Sequence, residues 1–564
     1  MKKLRWQLLI IILTGLIVGV LLLEEQPQPV SPLSSPEPEQ GGVYTEALIG
    51  SLMRLNPLLN FYNSADRDIS RLIFSGLIRY DGTGAPQADL AETWSYSRDG
   101  TLYNVTIRET AVWHDGQPVT ADDVIFTIDL IRNGIDIIPV DLQDFWKAIE
   151  VVKLDERVLQ FRLPEAFAPF PDYLTFGILP KHLLDGQSLD EMIDLPFNIQ
   201  PVGSGPYRFD HLIIEGEQIQ GVVLAVFEEY YGPRPYIDEI VFRYYPDASA
   251  ALQAYQDGLV QGIGEVTPDI LDQVLAEPEL ALYTARKPEL SMILLNLKNE
   301  EVPFFQDGQV RRALLTGLNR QGIVDRLIKG QAIIADVPIL PGTWAYYDSL
   351  KRVEYDPQAA RALLIEAGYI LASENDVIRK KDEVALRFSL VYPDDEYHQK
   401  VAEAIQAYWI AIGAEVSLEP APYETLLKDR LEQRDFQAVL IDLNLSRSPD
   451  PDPYPFWDQA QAAAGQNYSQ WEHRVASEYL EQARVTVDLA ERAKYYRNFQ
   501  IIFGQELPAL PLYYPVYAYA VDQEIQGVQM GPLFDTSDRF GNVTAWFLAG
   551  VLKPEGAVAP AANP

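Results

Sequence analysis

Residues 101 to 108, TLYNVTIR, alternate apolar and polar positions as a half-buried strand does. Residues 120 to 132, TADDVIFTIDLIR, follow with Thr120 and Asp123 at capping-box spacing ahead of a helical run. Together they predict a strand, a turn containing HDG, and a capped helix. Further strands are predicted at VLQFRL, GVVLAVFE and DEIVFRYY, with helices over 309–330 and 356–368. In the second of these helices Asp356 is placed as N-cap, Pro357 at the first helical position and Gly368 past the end, a consistent set of start and stop signals. From residue 384 the order is strand VALRFSLVY, helix HQKVAEAIQAYWIAIG, strand AEVSLEP, helix YETLLKDRLEQR and strand FQAVLIDLNL. Strands alternating with helices imply crossover units and a sheet covered by helices, a mixed α/β class in which ligands lie outside the carboxyl ends of the strands.

The last of these strands runs directly into SRSPDPDPYPFW, residues 446 to 457. A linker, a carboxylate cluster for a metal and the wall of a ligand site are three readings of such a segment. More than a hundred well-patterned residues follow it, which favours the wall over the linker. A calcium loop would want oxygens at alternate positions, a permissive Gly and a later Glu, whereas prolines at 449, 451, 453 and 455 fix the backbone and remove donors. The alternation of prolines predicts an extended, rigid rail holding Tyr454, Phe456 and Trp457, each of which could equally close a core.

At the N-terminus Lys2, Lys3 and Arg5 precede an apolar stretch from Leu8 to Leu23 that approaches bilayer length. It gives way to Glu24 and Glu25 without a small-residue cleavage site, which favours a retained anchor in 1–23, basic end in the cytoplasm, over a cleaved signal. Residues 24–42 are rich in Pro, Ser and Glu and read as an extended tether; 553–564 read as a disordered tail. The body between them is long enough for two or three domains.

Composition mostly excludes. The 81 acidic residues outnumber the 45 basic ones by 36, a surface that repels phosphate backbones, so nucleic acid is not an expected partner. Cysteine is absent, which removes disulfides, thiolate metal sites and Cys nucleophiles. There is no G-x-S-x-G, H-E-x-x-H, phosphate-binding G-x-x-x-x-G-K-[ST] or G-x-G-x-x-G, and the five histidines stand singly, so neither a metal nor a cofactor is expected. His114, in WHDG, reads as part of a self-bonded turn rather than as a base. Glycan hydrolysis needs only two carboxylates and aromatic platforms, and it stands as the enzymatic alternative.

Six motifs in order carry a resemblance over nearly the whole body. LAETWSYSRDGTLYNVTIRETAVWHDGQPVTADDVIFT, PVGSGPYRF, YYGPRPYIDEIVFRYYPDASAALQAYQDGLVQG, VRRALLTGLNRQGIVDRLIKGQA, YDPQAARALLIEAGY and ELPALPLYYPVYAYAV are similar to stretches of the extracytoplasmic solute-binding proteins of ABC importers, family 5, which include oligopeptide- and dipeptide-binding proteins. The resemblance implies the three-lobed, type II-like periplasmic binding fold. Lobe I would comprise 43–85, 196–288 and 512–552, with lobe II inserted at 86–195 and lobe III at 289–511. It further implies a two-strand hinge, a small ligand (a peptide foremost) enclosed between lobes, and delivery to a membrane permease and its ATPases, with no catalysis. Oligosaccharide and nickel-type ligands are the alternatives within the same role.

By the same resemblance the ligand faces IGSLMRLNP (49–57) and DLNLSRSPDPDP (442–453). The implied ligand-side residues are Ile49, Ser51, Met53, Trp344, Asp442, Asn444, Ser446, Arg447, Asp450, Tyr454 and Trp457. Peptide-binding members place an Asp three residues before an acidic-Pro pair, where it meets the peptide amino group. Counting back from Asp450-Pro451 gives Arg447, and from Asp452-Pro453 gives Pro449, so neither register supplies that carboxylate. A guanidinium cannot accept from an ammonium group. Three expectations follow: Asp442 or Asp450 takes over, Arg447 holds a ligand carboxylate, or the ligand is not a peptide.

Overall fold

The computed structural model describes residues 38–373, 375–445 and 449–550. Its main feature is a mixed sheet of twelve strands. Ten lie in the order Glu415–Ala421, Arg387–Pro393, Ala438–Asn444, Glu289–Leu295, Ala509–Asp522, Gly262–Ile263, Val43–Ile49, Glu239–Tyr245, Gln218–Val226 and Tyr207–Glu215. Leu280–Arg286 and Ala332–Ile334 also pair with the 14-residue strand Ala509–Asp522. A separate antiparallel sheet of four strands orders Ala91–Tyr96, Leu102–Ile107, Val158–Arg162 and Glu150–Asp155.

The long strand joins two cores. Leu512, Tyr513 and Tyr514 sit in one apolar cluster with Leu290 to Leu295, while Tyr517, Tyr519 and Val521 sit in another with Tyr44 and Leu48. Between them the chain crosses at Pro515, whose carbonyl accepts from Lys287 N–H at 2.9 Å. Pairing with Glu289–Leu295 also shifts register between Ser291 and Met292. A bulge bends the strand and raises its local twist. Two chain crossings, at 286–289 and at 515–516, thus connect the cores.

Several sequence signals act as read. Val105 and Ile107 of Leu102–Ile107 point into the core at alternate positions. Thr120 N–H donates to Asp123 Oδ2 at 2.8 Å, closing the first turn of Ala121–Arg132. Asp356 Oδ1 accepts from Gln358 and Ala359 N–H at 2.9 Å, and Gly368 takes φ +92 beyond Pro357–Glu366. The stretch 309–330, expected as one helix, forms two, Gly308–Thr316 and Arg320–Leu327. The break falls at Gly317, and Asn319 Oδ1 starts the second helix by accepting from Gly322 N–H at 2.7 Å; a new cap offsets the lost continuity. Likewise Val384–Ala385 turns back on Lys380–Lys381 as a hairpin, and the expected strand begins only at Arg387.

The loop PVGSGPY packs against the end of the helix Ser64–Ile73, where Gly205 N–H donates to Ile73 O at 2.8 Å. A Cβ on Gly203 would stand 2.0 Å from Ile73 O, so the approach itself requires glycine.

No helix among the described residues is long and apolar enough to cross a membrane, and the expected anchor in 1–23 lies outside them.

Candidate functional site

A cavity of about 1080 Å³ opens between the segments 61–67, 139–149 and 163–173 on one side and Asn444, Tyr454 and 481–485 on the other. Its wall is aromatic: Phe145 and Tyr173 stack at 3.7 Å between centroids, and Phe167 lies 5.7 Å from Phe145 and 5.9 Å from Tyr173. Arg484 reaches in from the helix Arg474–Val485, its guanidinium 4.3 Å from the Tyr454 ring and 5.3 Å from Phe167. Burial, and behind it the charges of Asp452, Asp172 and Asp141, push the Tyr173 hydroxyl up to about 12.

Of the expected ligand-side residues, Asn444 and Tyr454 line this cavity. Ile49 ends the strand Val43–Ile49 beside Tyr245, half-buried. Ser51 is exposed, but its carbonyl accepts from Asn63 Nδ2 at 3.0 Å. Met53 exposes its side chain, yet its N–H donates to both Asp66 oxygens at 3.1 and 3.2 Å, and Arg54 N–H adds a third bond at 2.7 Å. Burial pushes the Asp66 carboxyl up to about 6 even against those three donors. This loop is therefore pinned to its own helix rather than presenting a free edge. Ser446 and Arg447 lie outside the described residues.

Three residues expected at the ligand are occupied in packing instead. Trp457 is buried in the core, edge-on to Phe503 at 4.8 Å. Trp344 stacks under the Arg492 guanidinium at 5.2 Å and beside Tyr496 at 5.7 Å. Asp450 is buried with Arg492 as ion-pair partner, accepts from Tyr496 Oη at 2.8 Å and donates its own N–H to Asp172 Oδ2 at 2.8 Å. Nor does the proline segment form an extended rail. Asp452 N–H donates to Asp450 Oδ1 at 3.1 Å, Pro453 takes φ −70 and ψ −3, and Tyr454–Trp457 closes a single helical turn. Proline fixes φ but leaves ψ free, and an Asx turn between the prolines reverses the chain.

Asp442 belongs to a second polar group, on the same face as Asn444. Ser291 Oγ donates to Asp442 Oδ1, His398 Nε2 lies 3.1 Å from Asp442 Oδ2, and His398 Nδ1 lies 2.6 Å from Asp395 Oδ2. Burial alone would lower the His398 imidazole, but the bonds and charges of Asp442 and Asp395 raise it overall. Burial, then the Asp442 charge, raises Glu289, the neighbour of Asn444 across the strand pair. Among the described residues no cluster of His, Asp and Glu is gathered to hold a metal ion.

His114 lies away from the cavity. Its Nδ1 accepts from Gly203 N–H at 3.2 Å, its Nε2 sits 3.2 Å from Gly205 O, and burial lowers it to about 4. A histidine whose folded value is depressed contributes stability above its ordinary value of about 6.5 and loses it as pH falls toward 4. We expect on the order of 2–3 kcal/mol less stability at pH 4 from this group. Denaturant midpoints of the wild type and of His114→Asn between pH 7 and pH 4 check it; equal slopes for the two would refute it.

The cavity wall from 139 to 173 was not expected from sequence, although FAPFPDY at 167 to 173 carries the same mixture of proline and aromatics as 449 to 457. That shared composition was the available signal.

The family profile described as bacterial extracellular solute-binding proteins, family 5 (middle), matches residues 85–466. The oligopeptide-binding protein AppA of Bacillus subtilis is 28% identical over 524 residues, covering 92% of this chain and 93% of that protein. The dipeptide-binding protein of Escherichia coli is 26% identical over 510 residues, 86% of this chain and 91% of its own. The solved structure of Bacillus subtilis AppA in complex with a nonapeptide superposes with a TM-score of 0.62 at 26% identity, covering 91% of this chain and 100% of that one.

Proposed function

This chain belongs to the bacterial extracellular solute-binding proteins of family 5, and from that premise we propose that it captures a short peptide between lobes and hands it to an ABC permease. The cavity of about 1080 Å³ carries the reading. That volume exceeds the range usual for drug-sized ligands, and its lining mixes aromatic faces with a few polar groups. The lobes assigned are 43–85 with 196–288 and 512–552, then 86–195, then 289–511. Their movement is placed at the two crossings near Lys287 and Pro515. A ligand touching both sides stabilises the closed state by its differential affinity for it, and closure is what the permease and its ATPases would read. Retention of 1–23 in the membrane, with 24–42 as tether, would keep the receptor beside that permease. The role is reversible binding; turnover of a bound oligosaccharide would refute it.

Anchoring is assigned to Arg447, which lies in the chain between the cavity-lining residues Asn444 and Tyr454. Asp450 already neutralises Arg492, and Asp442 is shared by Ser291 and His398, so neither is free to receive an ammonium group. A guanidinium suits the peptide's terminal carboxylate, often through two parallel bonds. In calorimetric titration with a peptide library, C-terminal amidation or Arg447→Ala is expected to weaken binding about 10- to 100-fold, the worth of one charge-assisted bond. N-terminal acetylation is expected to matter less. Binding of oligosaccharides with none to peptides would overturn the ligand class, and equal loss on acetylation would overturn the anchor.

A further inference from the structure

Four acidic side chains line the cavity, Asp141, Glu165, Glu481 and Asp535, against two basic ones, Arg67 and Arg484. Both bases are already answered: Arg67 Nε lies 2.9 Å from Asp535 Oδ2, and Arg484 Nη2 lies 3.1 Å from Asp452 Oδ2, just behind the lining. Glu165 and Glu481 are exposed, and neither forms an ion pair among the described residues. Burial does most to raise the Tyr173 hydroxyl, and the charges of Asp452, Asp172 and Asp141 add to it. The aromatic wall has also shown what it accepts, since the Arg484 guanidinium lies between Tyr454 and Phe167 at 4.3 and 5.3 Å.

We propose that the cavity selects peptides bearing an arginine or lysine side chain, whose aliphatic stem lies on Phe145, Phe167 and Tyr173 and whose head meets Glu165 and Glu481. The inference rests on the peptide reading and names its substrate class. A long basic side chain suits both surfaces, because its methylenes bury against rings while its charge stays near carboxylates and water. A glutamate in the same place would meet the like charges of Glu165 and Glu481. The chain's excess of 36 acidic residues would draw cationic peptides toward the opening, an attraction that salt screens.

Tetrapeptides carrying one arginine, glutamine or glutamate at each position in turn, titrated into the full chain in mild detergent, test this. At the best position the arginine peptide is expected to bind about tenfold tighter than its glutamine counterpart, and the glutamate peptide more weakly than either. Raising salt, or the double substitution Glu165→Gln and Glu481→Gln at two exposed positions, should narrow the gap between arginine and glutamine. Equal affinities across the three series, or a preference for glutamate, would overturn the basic preference while leaving the peptide reading intact. Failure of all tetrapeptides to bind would remove both.

Discussion

Arg539→Met is expected to destabilise the protein by about 3–5 kcal/mol, the cost of stripping one partner from a buried ion pair. Arg539 is completely buried, its Nη2 lying 2.6 Å from Glu46 Oε1 and 2.8 Å from Asp68 Oδ2. Glu46 also accepts from Tyr44 Oη at 2.7 Å and Tyr519 Oη at 2.8 Å, while the guanidinium lies 4.2 Å from the Phe540 ring. Even beside that cation, burial holds the Asp68 carboxyl at about 6. Methionine would fill the volume and leave two carboxylates with no counter-charge in an apolar site. Loss of Arg539 removes the charge that lowers the Asp68 carboxyl, so the variant takes up that proton at a higher pH than the wild type, and the deficit should shrink as pH falls toward about 6 and level off below it. Urea midpoints at pH 8 and pH 5 check both statements. A loss under about 1 kcal/mol, the usual scale for a surface pair, would refute the triad's weight.

The consequence reaches the cavity because of where the triad sits. Glu46 belongs to the strand Val43–Ile49 and Asp68 to the helix Ser64–Ile73, the two elements that hold the loop of Ser51 and Met53 and present Arg67 to the cavity.

Local signals were legible in the sequence wherever one short segment settles its own structure. Thr120 with Asp123, and Asp356 with Pro357 and Gly368, are complete instructions within a turn or two of helix. The motif order was legible for a different reason, since six spaced patterns carry topology that no single one does. Long-range pairing was not legible. Arg492 and Arg539 look like any surface arginine in sequence, and only the fold brings them to Asp450 and to Glu46 with Asp68. The same blindness hid the cavity: Phe145, Phe167 and Tyr173 meet Asn444 and Tyr454 across roughly 300 positions of chain. Trp457 illustrates the reverse error, because an aromatic next to a site reads alike whether it faces ligand or core.

The Arg492–Asp450 pair yields the other large expected effect. Arg492 and Asp450 are both buried, and Arg492 Nη1 also donates to Ala168 O at 3.3 Å, while Asp450 N–H meets Asp172 Oδ2 at 2.8 Å. Ala168 N–H returns a bond to Arg484 O at 2.6 Å. These contacts strut the segment 167–173 of the cavity wall against the helices Arg474–Val485 and Leu489–Glu506. Arg492→Met should cost about 3–5 kcal/mol, since among the described residues Asp450 would be left charged with only the Tyr496 hydroxyl as side-chain donor. Adding Asp450→Leu removes that orphaned charge, so the double variant should be more stable than Arg492→Met alone. Simple additivity of the two substitutions in denaturant midpoints would mean the charges are not coupled. Peptide affinity separates packing from charge: if the strut positions Phe167 and Tyr454, binding should stay weakened in the double variant even where stability has returned.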